Sequence, residues 1–267
     1  MKERLAGALV NAVSKRMPRL GRALEALTDD SPAPAPAPAP QPQELGGRPA
    51  YAHWGEDLVV SYLLDEKRDG FYVDVGCYHP TLFSNTKLLF DAGWRGVNID
   101  PNPFMIEQYR AARPGDVNLH LALSDSAGAE VDFFIFSDWA SSNTASSAFA
   151  AEISKLQSVE VSRKIRVRCE TLGNIFEQHC NGRSIDFLNV DVEALDLKVL
   201  RASDWEKWRP RVVAVEDFEF DFSRPDSSKI YGFLVSQRYE MVSRNVYTSI
   251  FVSQESGIRL YRAASQE

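Results

Sequence analysis

The sequence predicts an α/β fold: a doubly wound, mainly parallel, seven-stranded Rossmann-like sheet with an antiparallel edge strand. Two observations carry this. Short apolar, β-branched runs alternate with helical stretches from residue 71 to residue 238, and repeated βα units build parallel sheets with helices on both faces. The chain then closes on "YEMVSRNVYTSIFVS", two strands about a tight turn, which predicts an antiparallel strand at one edge.

Taken in order, "FYVDV" (71–75) precedes the helical stretch "TLFSNTKLLFDAG", and "RGVNID" precedes "NPFMIEQYRAA". "VNLHLALSD" follows, then "EVDFFIF", whose strict alternation marks an added hairpin strand. Ser137–Ala148 is small, polar and loop-like. "KIRVRC" reads as a strand before the helix "TLGNIFEQHC", "IDFLNVDV" precedes "LDLKVLRASDW", and "RVVAVEDF" precedes "SSKIYGFLVSQR".

Ahead of this body, which starts near Tyr51, lie two other kinds of sequence. Residues 31–42, "SPAPAPAPAPQP", lack an N–H at alternate positions and form an extended spacer, within a Pro/Ala-rich linker spanning 28–50. In residues 1–27, Leu5, Leu9, Val13, Met17, Leu20, Leu24 and Leu27 recur at helical spacing. Six basic residues against two acidic ones surround that face, a net +4. Such a helix either docks peripherally on anionic lipid or packs on the body or on a second copy of the chain. With −7 overall, removing that +4 leaves −11 on the rest, which argues against nucleic acid as a partner. No apolar run is long enough to span a membrane. Cys77, Cys169 and Cys180 offer neither a disulfide framework nor metal-ligand spacing. The expected location is the cytoplasm, with 1–27 reaching the inner face of the membrane in the first reading.

In a doubly wound sheet, ligands bind beyond the carboxyl ends of the strands. Those positions hold Asp74 and Gly76, Asp100, Ser124 and Asp125, Asp191 and Glu193, Glu216 and Asp217. An acid ending the second strand is placed to accept from both hydroxyls of a ribose, and Asp100 occupies that position; "DPNP" also makes it a turn and cap residue. The loop after Gly76 carries Cys77, Tyr78, His79 and Pro80 where a dinucleotide cradle needs further glycines. Crowding there, with acids around, favours a cationic ligand without phosphates, such as S-adenosylmethionine.

The ordered blocks "FYVDVGCYHPTLFSNT", "GWRGVNIDPNP", "LALSDSAG", "TLGNIF", "IDFLNVDVEALDLKVL" and "PRVVAVEDF", with "HWGEDLVVSYLL" upstream, resemble the FkbM-type S-adenosylmethionine-dependent methyltransferases over residues 51–253. The resemblance implies O-methylation of a sugar hydroxyl or a related natural-product hydroxyl. It implies that Asp74, Gly76 and Tyr78 line the methionine end of the cofactor, Asp100 holds the ribose, and Ser124–Asp125 meet the adenine. Asn85, read as one turn into the first helix, reaches the carboxylate or the acceptor. Ala194 departs from the D-V-E-G pattern; a positive φ is not demanded there, and its methyl is expected beside the pocket.

A sugar hydroxyl needs a base. Asp191 and Glu193, alternating along an extended segment, are the chosen pair; His79 is the second choice. Asp191, Glu193, Glu216 and Asp217 could hold a divalent cation through oxygen, though no spacing motif calls for a metal. His53, His120 and His179 read as structural or surface residues. Acceptor determinants are expected in the insert around 129–160. A glycan or small-molecule acceptor and a homo-oligomer are the expected partners.

Overall fold

The computed structural model describes residues 43–45, 48–64, 67–180 and 182–258. The expected lipid-binding helix of residues 1–27 and the spacer of 31–42 lie outside them. A short antiparallel ribbon, β1 (Gln43–Leu45) with β2 (Arg48–Ala50), falls within the segment read as linker. The first described helix, α1 (Glu56–Leu63), lies within "HWGEDLVVSYLL".

The main sheet is built from β3 (Phe71–Val75), β4 (Arg95–Asp100), β5 (Val117–His120), β9 (Phe187–Val190), β10 (Val212–Glu216), β11 (Tyr239–Asn245) and β12 (Thr248–Ser253). Its order is β11-β12-β10-β9-β3-β4-β5. Strands β10, β9, β3, β4 and β5 pair in parallel. The closing hairpin is present, but the antiparallel strand is not at the edge. β12 runs antiparallel to both β10 and β11, so it sits one place in, and β11 forms the edge. A hairpin's second strand can insert beside β10 only if its first strand is left outermost.

Alternation along β3 explains the two layers. Val73 and Val75 pack on one face with α5 (Leu172–His179), α6 (Asp196–Leu200) and α7 (Lys229–Ser236). Tyr72 packs on the other with Val60 of α1 and Leu89 of α2 (Lys87–Asp91). Each such aliphatic or aromatic side chain contributes about 1.5–3 kcal/mol by leaving water. α3 (Pro103–Ala112) starts on an Asn102 side chain that accepts from the Phe104 N–H.

"VNLHLALSD" is divided between two sheets. After β5 the chain passes to β6 (Ala122–Leu123), which pairs with β8 (Arg163–Glu170), itself antiparallel to β7 (Glu130–Ile135). The insert between β7 and β8 adds α4 (Ser147–Gln157), a helix outside the sequence expectation. "TLFSNTKLLFDAG" is helical only over its last part: Phe83 has φ 55° and the helix begins after Thr86. Asn85 therefore precedes the helix and does not lie inside it.

Candidate active site

A cavity of about 870 Å³ lies beyond the carboxyl ends of β10, β9, β3 and β4, extending to Leu121–Leu123, where this topology places ligands. Six carboxyl residues line it, Glu56, Asp74, Asp100, Asp191, Glu193 and Glu216, and no lysine or arginine among the described residues does.

At its centre, Gly76 turns the chain out of β3 with φ 74°. A Cβ there would lie 1.7 Å from the Asp191 carbonyl oxygen, so two parallel strand ends can pass this close only with glycine. Ile99 O accepts from the N–H groups of Gly76 and Cys77, at 2.9 and 3.1 Å. Asp74 is fully enclosed by donors: its Oδ2 accepts from Thr86 Oγ1 at 2.7 Å and its Oδ1 from Asn189 Nδ2 at 2.9 Å. Asn85 Nδ2 donates to Asn189 Oδ1 at 3.0 Å. Asp100 Oδ2 accepts from the Tyr78 N–H at 2.9 Å and Oδ1 from the Asn102 N–H at 2.7 Å. It thus braces the "DPNP" turn and lines the cavity together. Burial pushes its carboxyl up to about 7, and each oxygen has acceptor capacity beyond the one hydrogen bond it makes.

On the other side of Gly76 the acids face one another. Carboxylate oxygens of Asp191, Glu193 and Glu216 all lie within 4.8 Å of each other. They converge because Glu193 and Ala194 take left-handed φ values of 54° and 73°; extended alternation plays no part. Burial, then the neighbouring negative charges, raises all three carboxyls. Asp191 and Glu216 share a hydrogen bond that favours the charged form of Asp191 and the neutral form of Glu216. The buried Oε2 of Glu216 has no partner. Carboxyls this close either share protons or bridge a cation through oxygen. Asp217 is not among them: it accepts from Ser228 Oγ at 2.5 Å and from the Glu219 N–H at 3.1 Å.

Other expected residues lie elsewhere. His79 is outside the cavity lining; its Nδ1 accepts from the Thr81 and Leu82 N–H groups at 3.1 and 3.0 Å, and burial lowers its pKa. That nitrogen is taken up by the turn and has no lone pair left for an acceptor proton. Ser124 and Asp125 are also outside the lining, since Asp125 pairs with Lys198 at 3.1 Å on the surface; Leu121, Ala122 and Leu123 stand at the cavity wall instead. Tyr78 lines the cavity and donates its hydroxyl to Trp139 O at 2.8 Å. Ala194 does adopt a positive φ, and its side chain is exposed at the surface, away from the lining. The insert reaches the Asp100 end through Ala140–Ala145 and the Asp138 carbonyl, which accepts from Asn102 Nδ2 at 3.0 Å.

The family model of the methyltransferase FkbM domain matches residues 74–241, from Asp74 of β3 into β11. The chain belongs to the FkbM methyltransferase family. Comparison with curated proteins finds no match.

Several parts of this methyltransferase's site escaped the sequence reading. Asn189 had one signal: a polar residue in the buried run "FLNV" must find partners. Arg113 is 1% exposed, and its guanidinium donates to Pro80 O, Ser84 Oγ and Thr86 Oγ1 at 2.5, 3.0 and 2.9 Å. It holds the 80–86 loop and, through Thr86, the Asp74 carboxylate. His53, read as incidental, lines the cavity stacked between Trp54 and Phe83, with centroids 4.3 Å away on each side. The contact with Phe83 has no sequence signature, since 30 residues separate it from His53.

Proposed function

We propose that the protein is an S-adenosylmethionine-dependent O-methyltransferase that methylates a hydroxyl of a sugar in a glycan or glycolipid precursor. The observation that carries this is the cavity itself: six carboxyl residues and no described lysine or arginine at the carboxyl ends of a methyltransferase-family sheet. The donor set fits the cofactor. Its sulfonium and amino group are cationic and it has no phosphate, whereas a dinucleotide needs a helix N-terminus for its pyrophosphate. After Gly76 no helix begins until Lys87.

In this reading Asp100 accepts from the ribose, Leu121–Leu123 meet the adenine, and Asp74 with Tyr78 bounds the methionine end. When bound, S-adenosylmethionine supplies an electrophilic methyl group. The chain's own contribution is to the acceptor. Asp191, ionised against a protonated Glu216, takes the proton of a hydroxyl held against it, and Glu193 orients that hydroxyl. A base so placed contributes about 10²–10⁴-fold, beside roughly 7–11 kcal/mol from alignment of the reactants. The basic amphipathic segment 1–27 suits a lipid-linked acceptor; its removal should reduce sedimentation with anionic vesicles.

Calorimetric titration of the full chain with S-adenosylmethionine and, separately, with NAD tests the reading. Binding of the first alone is expected. Binding of NAD without S-adenosylmethionine would overturn it in favour of an oxidoreductase.

A further inference from the structure

The Asp191 end of the cavity has a wall unlike the rest. Residues 51–56 are pinned in place: the Tyr51 N–H donates to Asp57 Oδ2 at 2.7 Å, the Trp54 N–H to Glu56 Oε2 at 2.8 Å, and Asn245 Nδ2 to Trp54 O at 3.1 Å. The result is a stacked column. Trp54 and His53 lie at an interplanar angle of 14°, His53 and Phe83 at 26°, and Phe83 continues to Tyr78 at 19°. All four rings line the cavity. Trp54 and Phe83 remain 36% and 39% exposed. Phe218 and Tyr247, ring centroids 5.2 Å apart, also line this end. Glu56, which accepts from the Trp54 N–H, is close enough to Asp191 for its charge to raise that carboxyl.

Aromatic faces beside hydrogen-bond acceptors suit a pyranose, whose C–H face stacks on rings while its hydroxyls donate to carboxylates. The same wall is hostile to phosphate. Three described cations that touch residues of the lining or their chain neighbours are engaged. Arg113 is tied to the 80–86 loop. Arg244 donates to Ser249 Oγ and Asp217 O and lies over Phe220. Lys87 pairs with Asp91, 5.0 Å from the Tyr51 ring centroid. A phosphorylated sugar would bring about −1.5 to −2 of charge into a low-dielectric site that already carries carboxylates, with no lysine or arginine among the described lining residues to meet it.

We infer that the acceptor is an uncharged sugar unit already in glycosidic linkage, stacked on the Trp54–His53–Phe83 column, and is not a sugar phosphate or nucleoside diphosphate sugar. Methylation therefore follows glycosyl transfer: a glycosyltransferase reaction must supply this substrate. The inference rests on the sugar-hydroxyl reading above.

The test uses the full chain, a panel of methyl hexosides and deoxyhexosides, and the same sugars as 1-phosphates and nucleoside diphosphate derivatives. Transfer of labelled methyl is measured, and glycoside binding without cofactor is followed by tryptophan fluorescence. Glycosides should be preferred by roughly 100-fold in kcat/KM, the scale of unrelieved like-charge contact. Trp54→Ala should raise the glycoside KM by about 10-fold, as loss of one stacking partner does, while the S-adenosylmethionine Kd stays within about twofold; Trp54→Phe should restore most of the affinity. Equal or better methylation of phosphorylated sugars would overturn this inference and leave the proposed function standing. Cofactor binding with no sugar of any class methylated would overturn both. A Trp54→Ala protein with unchanged glycoside KM would remove the column from the acceptor site.

Discussion

Two groups of buried acids stand along one sheet edge, and they are treated in opposite ways. Asp74 and Asp100, at the ends of β3 and β4, have every oxygen met by a donor from Thr86, Asn189, Tyr78 or Asn102. Asp191, Glu193 and Glu216, beyond β9 and β10, meet chiefly one another. Hydrogen bonds to a carboxylate stabilise it as an anion, and a like charge nearby destabilises it. The first group has its oxygens fixed by donors, ready to meet a ligand's own donors, although burial raises both of its carboxyls. In the function proposed above, the second exchanges a proton with the acceptor. A cavity with both can hold one reactant and deprotonate the other.

The largest expected effect tests the second group. Asp191→Asn should lower kcat by about 10²–10⁴-fold while the S-adenosylmethionine Kd, measured by calorimetry, changes little. If the variant loses cofactor affinity instead, the two groups are not functionally distinct. Because proton sharing within the triad suffices in this reading, methyl transfer should also survive treatment with a chelator. Loss of turnover on chelation, restored by a divalent cation, would convert the triad into a metal site.

Asp100→Asn tests the first group. Removing a charged acceptor costs about 1.5–3 kcal/mol per hydrogen bond, so the cofactor Kd should rise by roughly 10–150-fold with kcat at saturation nearly intact. A change confined to kcat would exchange the roles assigned to the two ends.

Both groups should be visible in the pH dependence of stability. Asp100 of the first group is pushed up to about 7 by burial, and Asp191 of the second to about 7 by burial and then by the neighbouring Glu56, Asp74 and Asp100 charges. Groups raised in the folded state hold their protons there while the unfolded chain has lost them. Stability of the ligand-free protein should therefore fall as pH rises from about 4 through 7. His79, lowered by burial, opposes this with a single group. Scanning calorimetry should show the Tm declining over this range, less steeply with the cationic cofactor bound. A Tm rising with pH throughout would mean the acids are not buried as charged neighbours.

The smallest effect concerns the turn that gathers the triad. Ala194 has φ 73°, a conformation that opposes a Cβ by about 1–2 kcal/mol. Ala194→Gly should raise stability by about 1 kcal/mol and Tm by roughly 2–4 °C without altering cofactor binding. An unchanged or lower Tm would mean the turn relaxes without strain.

Much of this was legible in the residues. Apolar runs alternating with helical stretches specify parallel strands, because a strand buried on both faces has nowhere to place polar groups. "FYVDVG" and "RGVNID" locate the acids at strand ends, since the chain must turn where the run stops. What could not be read is pairing in space. Nothing local says that Asp217 bonds Ser228 while Glu216 turns to Asp191. Neither does the sequence tell that His79 spends its nitrogen on its own turn, or that Arg113 braces a loop 27 residues upstream through Thr86. The antiparallel strand's place beside β10 likewise follows from register across the sheet. Periodicity and strand-end chemistry are properties of neighbours along the chain, and the sequence by itself determined them. Which carboxyls share a proton and which rings stack into a wall depend on distances between strands, so only the tertiary structure decided them.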